Sequence, residues 1–139
     1  MIEFNFETDF KLSDIKKHKD WVKSICKSEG YQTGELNYIF CDDNYLLNLN
    51  QKYLEHDTLT DIITFDYTTG KIISGDIYIS VDRVRENGAL YQVPFENELL
   101  RVMSHGILHL AGYKDKTEEH IKEMRSKEEE KIKMFHVEH

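Results

Sequence analysis

The apolar residues of this chain change period several times, and each change marks an element. Ile2, Phe4 and Phe6 alternate with Glu3 and Asn5, which predicts a half-buried strand at the start. Trp21, Val22, Ile25 and Cys26 then recur at helical spacing, with Ser13 as the expected N-cap, Asp14 in the first turn and Gly30 as the stop. Residues 35–41 (ELNYIFC) read as a second strand. Asp42 and Asp43 offer caps for a helix whose Leu46, Leu49 and Tyr53 share one face. Residues 60–67 place Ile63, Phe65 and Tyr67 on one side with Asp61, and residues 74–80 alternate Ile77 and Ile79 with Asp76, Tyr78 and Ser80. Thr68, Thr69 and Gly70 form a turn signal between these two strands, which are expected to pair antiparallel. Ser80 is expected to cap a short helix over 81–90.

The last two helices differ in kind. Pro94 suits the first turn of a helix running to about Ala111, apolar on nearly every side through Phe95, Leu99, Leu100, Val102, Met103, Ile107, Leu108 and Leu110. A helix apolar all round belongs in a core. The final helix, capped by Thr117, carries Glu118–Lys122, Glu123–Lys127 and Glu129–Lys133 at i,i+4 spacing and a thin apolar stripe of Ile121, Met124, Ile132 and Phe135. It reads as an outer helix. Neither repeats nor linkers interrupt the pattern. The expectation is one domain over residues 1–139, of class α+β, with a four-stranded mixed sheet packed with about five helices.

Composition narrows the function classes. With 40% hydrophobic and 12% aromatic residues, the chain can build a real core. Lys and Arg number 18 against 26 Asp and Glu, a net charge of −8, which argues against broad electrostatic binding of nucleic acid. A local basic patch or a bound cation can still meet a phosphate. Cys26 and Cys41 are the only cysteines and form no framework or C-x-x-C pair. The N-terminus lacks the features of a signal peptide, and nothing approaches a membrane span of about 20 apolar residues. The expectation is a soluble, cytoplasmic protein with no membrane partner.

The chemistry concentrates in SHGILHLAGYKD, residues 104–115. His105 and His109 stand four apart on the buried helix, where side chains project to nearly the same side with Cβ atoms about 5–6 Å apart. Two imidazoles so placed can reach one cation, and a charged or unsatisfied imidazole in an apolar helix would otherwise be costly. Gly112 ends the helix, and Asp115, three residues on, can swing its carboxylate back toward the pair. Three protein ligands with an open fourth position suit a catalytic zinc. His120 competes for the third place but lies in the next helix; His18, His56, His136 and His139 have no partner at ligand spacing or sit in the tail.

The spacing H-x-x-x-H-x-x-G-x-x-D resembles the metzincin peptidases, whose glutamate after the first histidine acts as general base. Here that position is Gly106, so peptide hydrolysis by that route is not expected. The chain more closely resembles the YbeY family of rRNA maturation factors, whose signature is H-G-x-L-H-L-x-G-Y-D-H; residues 105–115 read HGILHLAGYKD, and nine of eleven positions agree, the two unspecified ones included. The segments LNQKYLEHDTLTDIITFDY (49–67) and SGDIYIS (74–80) are similar to further family segments, and Glu98 matches a glutamate seven residues before the first histidine.

The resemblance implies a metal-dependent endoribonuclease specific for single-stranded RNA, acting on a ribosomal RNA precursor with the ribosome or assembly factors as partners. It implies one Zn²⁺ held by His105, His109 and the third position, here Asp115 instead of histidine. A two-histidine, one-carboxylate set also suits Fe(II). The family arginine after L-N-x-x-Y is Leu54 here, with Lys52, His56, Arg101 and Lys114 as candidates to replace it. Glu98, Asp61 and Asp76 are candidates to orient ligands or water. Two other readings stand beside this one: a ribosome-assembly protein with a structural or weakly catalytic zinc, and a metzincin-like metal hydrolase.

Overall fold

The computed structural model describes residues 1–54 and 60–137. Its elements run β1 (Ile2–Phe6), α1 (Ile15–Ser28), β2 (Gln32–Cys41), α2 (Asp43–Leu54), β3 (Ile62–Asp66), β4 (Ile72–Ser80), α3 (Val81–Tyr91), α4 (Phe95–Leu110) and α5 (Glu118–His136). The strands form the four-stranded mixed sheet that the sequence pattern predicts, in the order β1-β2-β4-β3. β1 and β4 each run parallel to β2, and β3 is antiparallel to β4, with Ile63 opposite Tyr78.

Alternation of side chains splits this sheet into two faces. Leu36, Tyr38, Phe40, Ile73, Ile77 and Ile79 join Trp21, Val22 and Ile25 of α1 and Leu99, Met103 and Ile107 of α4 in the main core. On the opposite face Cys41 and Ile63 form a smaller cluster with Leu46 of α2, flanked by Leu49, Phe65 and Tyr78. Tyr53, expected on the buried face of α2, is exposed and meets the Phe65 ring edge-on.

α4 is the most enclosed helix, as its all-round apolar sequence requires. The Tyr38 hydroxyl on β2 donates to the Met103 carbonyl at 2.9 Å, which satisfies a fully buried phenol and ties the helix to the sheet. One turn on, Gly106 lies against β3 and β4. A Cβ there would stand 3.0 Å and 3.1 Å from the Ile77 side chain and 3.2 Å from that of Ile62.

Three local expectations need correction. The N-cap of α1 is Asp14, not Ser13: Asp14 adopts a left-handed backbone (φ 50), which Asp tolerates, and its carboxylate accepts from the Lys17 amide at 3.2 Å. Pro94 sits at the N-cap of α4, one residue before the first turn. Among the described residues the i,i+4 ion pairs expected on α5 do not form. Glu129 instead pairs with Arg101 of α4, and Lys127 with Glu29 and, within α5, with Glu130. Thr117 and Ser80 cap their helices as the sequence indicates.

α5 is also less superficial than its composition suggests. Lys131 is fully buried, and its ammonium donates to Glu29 at 2.7 Å, Ser28 at 2.9 Å and Glu130 at 2.6 Å. The Trp21 indole donates to the Lys131 carbonyl at 2.7 Å, so α1 and α5 are joined through one residue. Burial pushes the Glu29 carboxyl up, but hydrogen bonds from Lys131 and Tyr113 and the charges of Lys131 and Lys127 outweigh it, and the net direction is down.

A carboxyl lowered on folding adds stability above its unfolded value and loses it as pH falls through the folded one. Lys131→Met is expected to cost about 1–3 kcal/mol near neutral pH, since Glu29 keeps Tyr113 and the longer Lys127 contact but loses its nearer, buried ammonium. The melting-temperature gap between the two proteins should narrow as pH falls from about 6 to about 3, readable by circular dichroism. At the sheet, Gly106→Ala should change stability by no more than about 1 kcal/mol, because helix propensity offsets the small displacement of two isoleucines. Gly106→Glu should cost at least about 3 kcal/mol by burying a carboxylate against apolar side chains, measured by urea denaturation.

Candidate metal centre

With Gly106 against the sheet, another side of α4 is left for chemistry. Glu98, Arg101, Val102, His105 and His109 recur every three or four residues and line a cleft of about 430 Å³. Thr60, Asp61, Ile62 and Thr64, in and just before β3, form one wall; Asn87 and Tyr91 of α3 another; Ile121, Met124, Arg125 and Glu128 of α5 a third. Asp115 reaches the cleft from the connection between α4 and α5. Gly112 makes that return possible with φ 100, in the region open to glycine. Tyr113 then fixes the turn, its amide bonded to the Leu108 carbonyl at 3.0 Å and its hydroxyl donating to Glu29 at 2.6 Å.

The structure brings His105 and Asp115 together, with Nε2 and Oδ2 3.3 Å apart. The other ring nitrogen, Nδ1, lies 2.7 Å from Glu128 Oε2. His109 lines the same cleft and is exposed, but among the described residues no three His, Cys, Asp or Glu side chains stand together as a metal-binding group. The pair that does meet has a spacing suited to a cation. Two donors about 2.0–2.1 Å from a tetrahedral zinc lie roughly 3.3–3.4 Å from each other. Glu128 behind His105 supplies the acceptor that metal-ligating imidazoles ordinarily have on their second nitrogen. The donor chemistry of His105 and Asp115 therefore fits a metal, and His109 lines the same cleft.

The other histidines are placed elsewhere. His120 lines a separate depression with Tyr31, Lys71 and Lys114. The His18 ring lies on Phe135 with Nδ1 3.0 Å from the Asp14 carbonyl, and His136 meets Phe135 edge-on. His56 and His139 lie outside the described residues.

Electrostatics in the cleft are strongly coupled. Burial works against protonation of His105, but the Glu128 hydrogen bond and the charges of Glu128, Asp115 and Asp61 outweigh it and raise its pKa. Burial raises the Asp61 carboxyl, with His105 opposing, and raises Glu98, with Arg101 opposing. Glu98 Oε1 is buried with no hydrogen bond; Arg101 Nε is 3.5 Å away, an ion-pair distance without bonding geometry. Arg101 also meets Glu128 at 3.3 Å and Glu129 at 2.5 Å, so three carboxylates engage it.

Of the residues considered for the missing family arginine, only Arg101 among those described lines the cleft. Lys114 faces the other depression, and Lys52 lies over the Tyr53 ring on α2. Leu54 is exposed at the end of α2. Asp61 belongs to the site, whereas Asp76 does not line it and accepts from Asn37 on the sheet at 3.0 Å. Sequence reasoning missed Glu128, Arg125, Asn87 and Tyr91. One signal was available: Glu128 falls four residues after Met124 and four before Ile132, on the apolar stripe of α5, where a solvated glutamate has no place.

Known proteins are similar to this chain in sequence and in fold. The pattern of the family described as Endoribonuclease YbeY matches residues 3–136. A protein of that name from Flavobacterium psychrophilum is 59% identical over 137 residues, covering 99% of this chain and 98% of its own. Namesakes from Flavobacterium johnsoniae and Christiangramia forsetii are 57% and 50% identical, each over 99% of this chain and over 99% and 96% of their own lengths. The solution structure of a Thermotoga maritima protein superimposes with a TM-score of 0.68 at 30% identity, covering 97% of this chain and 89% of that one. Agreement over nearly the full length, in sequence and in fold, places the chain in the YbeY endoribonuclease family.

Proposed function

We propose that residues 1–139 form one metal-dependent endoribonuclease domain that cleaves single-stranded RNA in the maturation of ribosomal RNA precursors. The observation that carries this reading is the pairing of His105 with Asp115 in an open cleft that His109 also lines. The names of its full-length relatives supply the substrate class. His105, His109 and Asp115 would hold one Zn²⁺, which would polarise a phosphoryl oxygen and acidify the attacking oxygen.

The chain's own residues do the rest. Thr60 and Thr64 offer hydroxyls along the β3 wall, and Asp61 is held beside His105 by its own carbonyl, which accepts from the Ser80 amide at 3.0 Å. Arg125 is the cation in the cleft best placed for a phosphate, because Arg101 is committed to three carboxylates. With a net charge of −8, the protein is suited to RNA presented by the ribosome or an assembly factor in the cytoplasm. Among the described residues no helix is long and apolar enough to cross a membrane.

A second reading, a ribosome-assembly protein whose zinc is structural or weakly catalytic, draws support from the exposed Leu54 where the family has an arginine. A peptidase is disfavoured because position 106 faces the sheet and leaves a glutamate no route to the cleft.

Purified protein, His109→Ala and Asp115→Ala should be compared on labelled single-stranded RNA, with metal measured by elemental analysis. The wild type is expected to hold about one metal per chain, and each variant to lose about 100-fold or more in cleavage. Equal cleavage by all three would remove the nuclease reading. Full metal retention with absent cleavage in the wild type would favour the assembly role.

A further inference from the structure

Glu128 is only 4% exposed, and both of its oxygens are engaged. Oε2 lies 2.7 Å from His105 Nδ1, and Oε1 lies 3.3 Å from Arg101 Nη1. An ionised carboxylate only accepts hydrogen bonds, so the proton between Glu128 and His105 belongs to Nδ1. In the neutral ring the lone pair is then on Nε2, the nitrogen that faces Asp115 Oδ2 at 3.3 Å. Two electron-rich atoms face each other there, an arrangement that favours a cation between them.

Packing alone does not account for this glutamate. It sits between Met124 and Ile132 on the stripe that buries α5, where an apolar residue would avoid the cost of desolvating a charge. Arg101 offsets that cost from α4, one turn before His105, and its other end reaches Glu129 at the solvent edge. Arginine, glutamate and imidazole thus form a chain of contacts along the cleft wall that ends at the Nε2 edge of His105.

We infer that Glu128, held by Arg101, is a positioning residue that fixes His105 as the Nδ1–H tautomer and directs its Nε2 lone pair into the cleft. What Nε2 then binds rests on the metal reading above, but the tautomer itself does not. The role differs from that of a helix-packing glutamate, which would affect stability and leave the ring unchanged.

The test uses the full chain, ¹⁵N-labelled and metal-free, at about pH 9, above the usual imidazole range. Imidazole nitrogen shifts should report a single Nδ1–H tautomer for His105 in the wild type. Glu128→Ala should give a tautomer mixture, and zinc affinity by chelator competition should fall about 10–100-fold. Glu128→Gln keeps an acceptor oxygen and should retain the tautomer and most of the affinity. Glu129→Gln, at the solvent end of these contacts, should leave the tautomer unchanged. If Glu128→Ala does not fold, Glu128→Met fills the same space without an acceptor and should reproduce its effects. A folded Ala or Met variant that keeps the wild-type tautomer overturns the inference. So does a Gln variant as disturbed as Ala. If the wild type takes up no zinc while the Ala variant scrambles the tautomer, the metal reading falls and the positioning role stands.

Discussion

The close approach of α4 to β3 and β4 at Gly106 is the constraint on which the rest of the structure depends. Without a side chain at that point the helix settles onto Ile62 and Ile77, and its rotation about its own axis is fixed. The Tyr38 bond to the Met103 carbonyl fixes it lengthwise. Once rotation and translation are set, the stripe from Glu98 to His109 must face the gap between β3, α3 and α5. The residue whose missing carboxylate argues against a peptidase mechanism is therefore the residue that aims the histidines.

The charge balance of the cleft follows from what surrounds that stripe. Asp61, Glu98, Asp115 and Glu128 supply carboxyl groups, against Arg101 and Arg125. Because Arg101 is held by Glu98, Glu128 and Glu129, the cleft attracts a cation before it attracts a polyanion. Raised pKa values at Asp61 and Glu98 point the same way, since burial penalises carboxylates that lack a full set of partners. A bound cation would relieve that penalty and would give a phosphate something to approach.

α5 supports the site from behind. Lys131 draws Glu29 of the α1 end into the structure, Glu29 accepts from Tyr113, and Tyr113 anchors the turn that delivers Asp115. Glu128, three residues before Lys131, meets His105 directly. One helix thus holds both the carboxylate loop and the histidine ring, although most of its surface is solvated charge.

Much of this was legible in the sequence, because local rules decide it. Alternation in Ile2–Phe6 and Ile77–Ile79, the caps at Ser80 and Thr117, the stop at Gly112 and the all-round apolar α4 determine which elements form and which helix is central. The spacing of His105, His109 and Asp115 selected the residues that share the cleft. Partner choice for long charged side chains was not legible. Lys127, Glu129 and Lys131 each have a plausible neighbour one turn away on α5, yet besides Glu130 they take Glu29 and Arg101, which lie about 28 to 102 residues distant in the chain and which only packing brings within reach. The strand order β1-β2-β4-β3 and the pairing of Glu128 with His105 are of the same kind. The sequence by itself determined the elements and the histidine-bearing stripe, since backbone sterics and hydrophobic period act over a few residues. Tertiary structure decided which carboxylate backs which histidine, since a charge in a low-dielectric interior takes the partner that geometry supplies.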